Sequence, residues 1–128
     1  MMKRLFFALF CFILANVAIF HFALGDFKGD VSLLTSGYHM HFLAFFGLSF
    51  TLSLILMHEK VNLPAPFTFC FIYAIFIAIL IEMLQAGTGY RTFSIIDILT
   101  GAIGAITYSI VGMISYRTRM FHRYWLRV

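Results

Sequence analysis

Apolar residues in this chain run in long unbroken stretches. Four of them, about 5–24, 40–57, 67–86 and 95–116, are almost continuously hydrophobic, and short polar breaks separate them. A helix needs about twenty residues to cross the hydrocarbon core, so each run predicts a transmembrane helix. No stretch alternates apolar and polar positions as a membrane β-strand requires. The breaks have their own chemistry. Gly25-Asp26-Phe27-Lys28-Gly29-Asp30 reads as a turn. Asn62-Leu63-Pro64-Ala65-Pro66 is expected to break any helix, so that the third span starts at Phe67. Gly87 and Gly89 allow a left-handed cap and a tight turn after that span. The first run, preceded by Lys3 and Arg4, has the layout of a secretory signal. Its apolar part is longer than a signal needs, and we expect a retained helix.

Composition narrows the class further. Of the 128 residues, 62% are hydrophobic and only 11% are charged, and the spans leave no room for a separate soluble domain. The fold class expected is therefore all-α: one polytopic membrane four-helix bundle over residues 1–128. A tail at 117–128 follows, with Met120, Phe121, Tyr124, Trp125 and Val128 at helical spacing and its arginines mostly opposite. It reads as a basic amphipathic helix on anionic lipid. Cys11 and Cys70 both fall inside apolar runs and read as small buried hydrophobes.

The net charge of +4 is a matter of topology. With both ends cytoplasmic, Lys3, Arg4, Lys60, Arg117, Arg119, Arg123 and Arg127 share one side, and Lys28 and Arg91 the other. That asymmetry predicts an N-in, C-in arrangement. No basic stripe with polar readers is present, and no nucleic-acid partner is expected. The partners implied are membrane lipids, with other membrane protein subunits as the second class.

This topology gathers the polar residues at the outer end. His21, His39, His41, Glu82, Gln85 and Asp97 all come to one depth there, with Arg91 in the turn. Ionisable groups near hydrocarbon are costly and mark function unless they are paired. Glu82 and Gln85 are three apart and share a helix face. Glu82 is either an acid, base or ligand in a polar pocket, or the partner of Arg91 in an ion pair that holds the turn. Arg91 either clamps a carboxylate in this way or binds a lipid or substrate phosphate. Ser94-Ile95-Ile96-Asp97 has the pattern of a capping box, and the acid suits a helix start. His39 and His41 point to different faces. His41 heads the face His41, Ala44, Phe45, Leu48, which puts it within reach of Glu82 or Asp97. His39 and His41 with His21, Glu82 and Asp97 could assemble a metal site, but their spacing matches no metal-ligand motif, so neither metal nor cofactor is expected. Gly101, Gly104, Tyr108 and Gly112 form a small-residue stripe below Asp97, suited to close helix packing.

The order of these residues carries a resemblance. A histidine opens a span in Tyr38-His39-Met40-His41; Glu82-x-x-Gln85, Arg91-x-x-Ser94-x-x-Asp97 and Gly104 follow. Over about residues 37–112 the chain resembles the VanZ-like family of small bacterial membrane proteins, named for a teicoplanin-resistance determinant. It departs from the family at Gly37 and Tyr38, where an Asp-Lys pair is usual, and at Gly101, where asparagine is common. The resemblance implies a multi-pass protein of the bacterial inner membrane with an envelope role. The function expected is binding of an anionic envelope lipid or lipid-linked intermediate in an outward-facing polar pocket. If a reaction occurs there, Glu82 is the candidate acid/base and His41 and Asp97 its orienting partners, with Arg91, Gln85 and Ser94 as ligand-binding residues. The alternative is a small accessory subunit of a larger membrane complex, in which the same cluster is a structural lock.

Overall fold

A computed structural model describes residues 2–25, 37–57, 65–89 and 91–118. These residues form helices α1 (Met2–Leu24), α2 (Tyr38–Leu56), α3 (Ala65–Gly87) and α4 (Ile95–Arg117). All four are long and apolar enough to cross a membrane. The first span, expected at about residue 5, begins at Met2 instead; the other observed ends fall within two residues of those expected from the apolar runs. Pro66 does not terminate the helical region as expected. It lies in the first turn of α3, where a missing N–H costs nothing because that donor has no intrahelical partner. The tail at 119–128, the Lys28 turn and Lys60 lie outside the described residues, and the N-in, C-in expectation rests largely on them.

Contacts set the direction of each helix. The end of α1 meets the end of α3 through Gln85, which donates to the Ala23 carbonyl oxygen at 2.8 Å. The start of α2 meets the start of α4, where His41 lies 3.7 Å from Asp97. At the opposite end, Ser53 of α2 hydrogen-bonds Tyr108 of α4, and Phe67 of α3 packs its ring against Tyr108. Neighbours in sequence therefore run antiparallel. The bundle has one end holding His41, Glu82, Gln85 and Asp97, and another holding Ser53, Phe67 and Tyr108.

The α2–α4 interface is the most extensive, and α1 is peripheral. In lipid no solvent drives helices together, so close packing and interhelical hydrogen bonds do the work. Gly101, Gly104 and Gly112 supply the closeness: all three are buried along α4. A methyl group on Gly101 would meet the Phe45 ring, one on Gly112 the Phe67 ring, and one on Gly104 the carbonyl group of Phe42 in α2. The core between these contacts is Phe45, Leu48, Ala74, Ile77, Ala78, Ile81 and Ala105. The large apolar side chains left exposed, among them Phe6, Phe10, Phe76, Ile103 and Ile110, are suited to hydrocarbon. One polar contact ties α1 to α3 midway: Tyr73 donates to the Asn16 side chain at 3.0 Å, and Asn16 is itself held by donating to the Phe12 carbonyl oxygen of α1 at 2.9 Å.

Candidate functional site

Three helix ends bring His41, Glu82 and Asp97 together. One donor atom from each lies within 4.8 Å of the other two. Each residue is placed by a local cause. His41 sits in the first turn of α2 and is turned inward, whereas His39, two residues earlier, is exposed. Glu82 and Gln85 share the buried face of α3, and each is only 2% exposed. Asp97 lies in the first turn of α4, where the helix dipole favours a carboxylate.

Ser94 is the N-cap of α4, and its side chain accepts from the Asp97 N–H at 3.3 Å. In a full capping box the acid three residues on accepts from the cap's own N–H. Here Glu82 of α3 takes that N–H instead: Ser94 donates to Glu82 Oε2 at 2.9 Å. Glu82 thereby fastens the end of α3 to the start of α4, and the Asp97 carboxylate remains available to His41. At 3.7 Å that contact is too long for a hydrogen bond. The other Glu82 oxygen, Oε1, is buried and has no hydrogen-bond partner.

Arg91 does not clamp the cluster. Among the described residues, no ion pair within 4.0 Å joins it to Glu82 or Asp97. Of the two sequence readings of Arg91, the turn-holding ion pair is therefore not formed. A double-mutant cycle on Glu82 and Arg91 should give a coupling below about 1 kcal/mol, as for two charges that feel each other without forming an ion pair. A coupling above about 1.5 kcal/mol, read by equilibrium unfolding, would restore the clamp. The turn itself depends on Gly89, whose φ of 78° only glycine adopts without strain. Gly87 ends α3 without a positive φ, and Thr88 closes the helix by donating its N–H and its hydroxyl to the Gln85 carbonyl oxygen.

Arg91 lines a cavity instead. It has a volume of about 470 Å³ and lies between α1 and α2, with Arg91, His41 and Gln85 at one end. Its walls are otherwise almost wholly apolar. The void has a simple cause: Ala15, Ala18, Ala44 and Gly47 face it, and their side chains are too small to fill the space between the helices. Exposed Phe22, Leu43 and Phe50 form part of its lining, so it opens on the lipid-facing surface. From Met40 to Thr51 the lining follows α2 for eleven steps, roughly 16 Å at helical rise. That is about half of a ~30 Å hydrocarbon core.

Some expected members of the cluster stand apart, and some partners were not anticipated. His21 is exposed on α1 with its ring edge against Phe22, outside the three-residue group. The partner of the Gln85 side chain on α1 is not another side chain but the Ala23 carbonyl oxygen, and no sequence motif marks a carbonyl as an acceptor. The Asn16–Tyr73 and Ser53–Tyr108 bonds were also missed. A lone Asn in an apolar run was the available signal for the first, since such a group needs a partner in lipid. Compared with protein-family models, with curated proteins and with solved structures, the chain matches none.

Proposed function

We propose that this is a multi-pass protein of the bacterial inner membrane that binds an anionic envelope lipid, with the His41–Glu82–Asp97 end facing out of the cytoplasm. The observation that carries the reading is the cavity. It combines an apolar groove one leaflet deep with a guanidinium at its polar end that forms no ion pair among the described residues. An acyl chain suits such a groove. A phosphate suits a guanidinium fork, which offers paired donors as well as charge. Gln85 is committed to Ala23, so Arg91 is the principal headgroup contact and His41 its neighbour. The VanZ-like order of residues supports the same envelope role. Its glycopeptide association supplies no substrate, and no reaction is assigned to Glu82 here. The accessory-subunit reading needs a cluster that is closed and fully paired. An orphaned Glu82 oxygen, and an Arg91 with no ion pair among the described residues, favour the lipid reading over it.

The test is lipid retention by the full chain purified in detergent, measured by native mass spectrometry with equimolar phosphatidylglycerol and phosphatidylcholine. Wild type should retain the anionic lipid preferentially. Arg91→Gln should lower that preference about five- to tenfold, the loss of one charge-assisted contact worth about 1 kcal/mol or somewhat more. Ala44→Trp, which fills the groove, should lower retention of both lipids. Equal retention of the two lipids by wild type, or a preference unchanged in Arg91→Gln, would remove the lipid reading and leave the lock.

A further inference from the structure

We propose that His41, Glu82 and Asp97 form a binding site for one divalent transition-metal ion of the zinc class. The three residues come from three helices, and their donor atoms lie within 4.8 Å of one another. The second observation is the orphaned oxygen. Glu82 is 2% exposed, and its Oε1 has no hydrogen-bond partner. A buried carboxylate oxygen with no donor is costly, and a cation among these three groups supplies what the protein does not.

Charge points the same way. Two carboxylates face one imidazole, and no Arg or Lys forms an ion pair with either carboxylate among the described residues. A protonated imidazole offsets one negative charge; a divalent ion beside a neutral imidazole offsets both. The balance matters because the groups lie at the end of an apolar bundle, where a net charge is poorly solvated.

Geometry sets a modest demand. Zinc holds nitrogen and carboxylate oxygen at about 2.0–2.2 Å, so neighbouring donors in a tetrahedral set are roughly 3.3–3.5 Å apart. The His41 Nε2–Asp97 Oδ2 distance is already 3.7 Å. A side-chain adjustment of about 1 Å closes the rest. The donor type selects the metal class: imidazole suits zinc and its neighbours, whereas magnesium and calcium prefer all-oxygen sets. Supporting contacts are in place as well. The Ser94 N–H orients Glu82, and the Ser94 hydroxyl accepts from the Asp97 backbone, the kind of outer partner that holds ligands in position. Three protein ligands leave a fourth position open. His41 also lines the cavity, so that position borders the groove. Spacing alone does not select these three residues, because positions 41, 82 and 97 have no ligand spacing along any one helix. The site needs no lipid and stands or falls apart from the lipid reading.

The experiment uses the full chain in detergent, stripped with chelator, equilibrated with Zn²⁺ or, in parallel, with Mg²⁺, desalted and assayed for metal. Wild type should hold about one Zn²⁺ per chain more than the His41→Gln, Glu82→Gln and Asp97→Asn variants. In each of these, Zn²⁺ affinity should fall at least about tenfold. His39→Gln, which alters an exposed histidine outside the cluster, should keep it. Zn²⁺ and not Mg²⁺ should raise the thermal midpoint of wild type, and the rise should vanish in the three variants. Should Glu82→Gln fail to fold, the variants at partly exposed His41 and Asp97 carry the test. The proposal is overturned if wild type retains no more Zn²⁺ than Asp97→Asn and His41→Gln, if His39→Gln loses the metal instead, or if Mg²⁺ stabilises equally.

Discussion

Glu82→Ala should destabilise the bundle by about 3 kcal/mol, more than any other side-chain truncation at this end. The change removes a buried acceptor from the Ser94 N–H, and a buried donor left without its partner costs about 1–3 kcal/mol. It also leaves a void in a packed face, and large-to-small changes in cores cost about 2–5 kcal/mol. Part of both losses is recovered, because truncation relieves the repulsion between Glu82 and Asp97 and frees Asp97 to cap Ser94 in the usual way. Glu82→Gln keeps an acceptor for Ser94 and should lie within about 1 kcal/mol of wild type. Met83→Ala, one residue on and exposed, should change stability by less than about 0.5 kcal/mol. Equilibrium unfolding in mixed micelles with chelator present reads all three without any metal contribution. If Glu82→Ala matches Met83→Ala, the α3–α4 fastening described above carries no energy. If Glu82→Gln is as damaging as Glu82→Ala, the charge itself is required, and the hydrogen bond is not the main term.

Gly104→Leu should cost about 3 kcal/mol and loosen α2 from α4. A side chain at this position is directed at the Phe42 backbone, which cannot rotate aside as a ring can. Relief requires the two helices to separate along their tightest contact, so the van der Waals packing that replaces a hydrophobic driving force in lipid is lost. Gly101 and Gly112 face the buried rings of Phe45 and Phe67, side chains rather than backbone, so alanine there should cost less than a side chain at Gly104 but still require the rings to shift. Gly47 is the internal control. Nothing lies within 4 Å of its missing side chain, so Gly47→Ala should be neutral or stabilise by up to about 1 kcal/mol through helix propensity. Disulfide trapping between cysteines placed on α2 and α4, together with unfolding midpoints, measures both effects. A Gly104→Leu protein as stable as wild type would mean that α2 and α4 do not approach as closely as described.

Gly104→Leu and Glu82→Gln act on different parts of the bundle. Gly104→Leu moves helices and disturbs everything at the His41–Glu82–Asp97 end together. Glu82→Gln leaves the helices in place and changes one atom's chemistry. Lipid preference lost in the first and kept in the second would show that the groove depends on packing rather than on the carboxylate, as expected if Arg91 is the headgroup contact.

The sequence by itself determined the four helices and nearly all of their ends. The reason is that the length and apolarity of a membrane helix answer to bilayer thickness, a constraint read one segment at a time. Local rules of the same kind made the Ser94 cap visible, because cap and acceptor are three residues apart, and the Gly101–Gly104–Gly112 face, because its period is helical. Pro66 was misplaced because the same residue that ends a helix also starts one. What only the tertiary structure decided is which groups touch. Arg91 and Glu82 are close in sequence and opposite in charge, yet the turn around Gly89 sends the guanidinium to the cavity and gives Glu82 the Ser94 N–H instead. The cavity arises because Ala15 and Ala18 of one helix face Ala44 and Gly47 of another. Each set of small residues is legible, but their facing is not, since it depends on the rotation of two helices about their axes. The same holds for His41, Glu82 and Asp97. Three residues on three helices become one site through register and rotation, and these are set by the Gly104–Phe42 approach and the polar ties of Gln85 and Tyr108, contacts between segments that no single segment specifies.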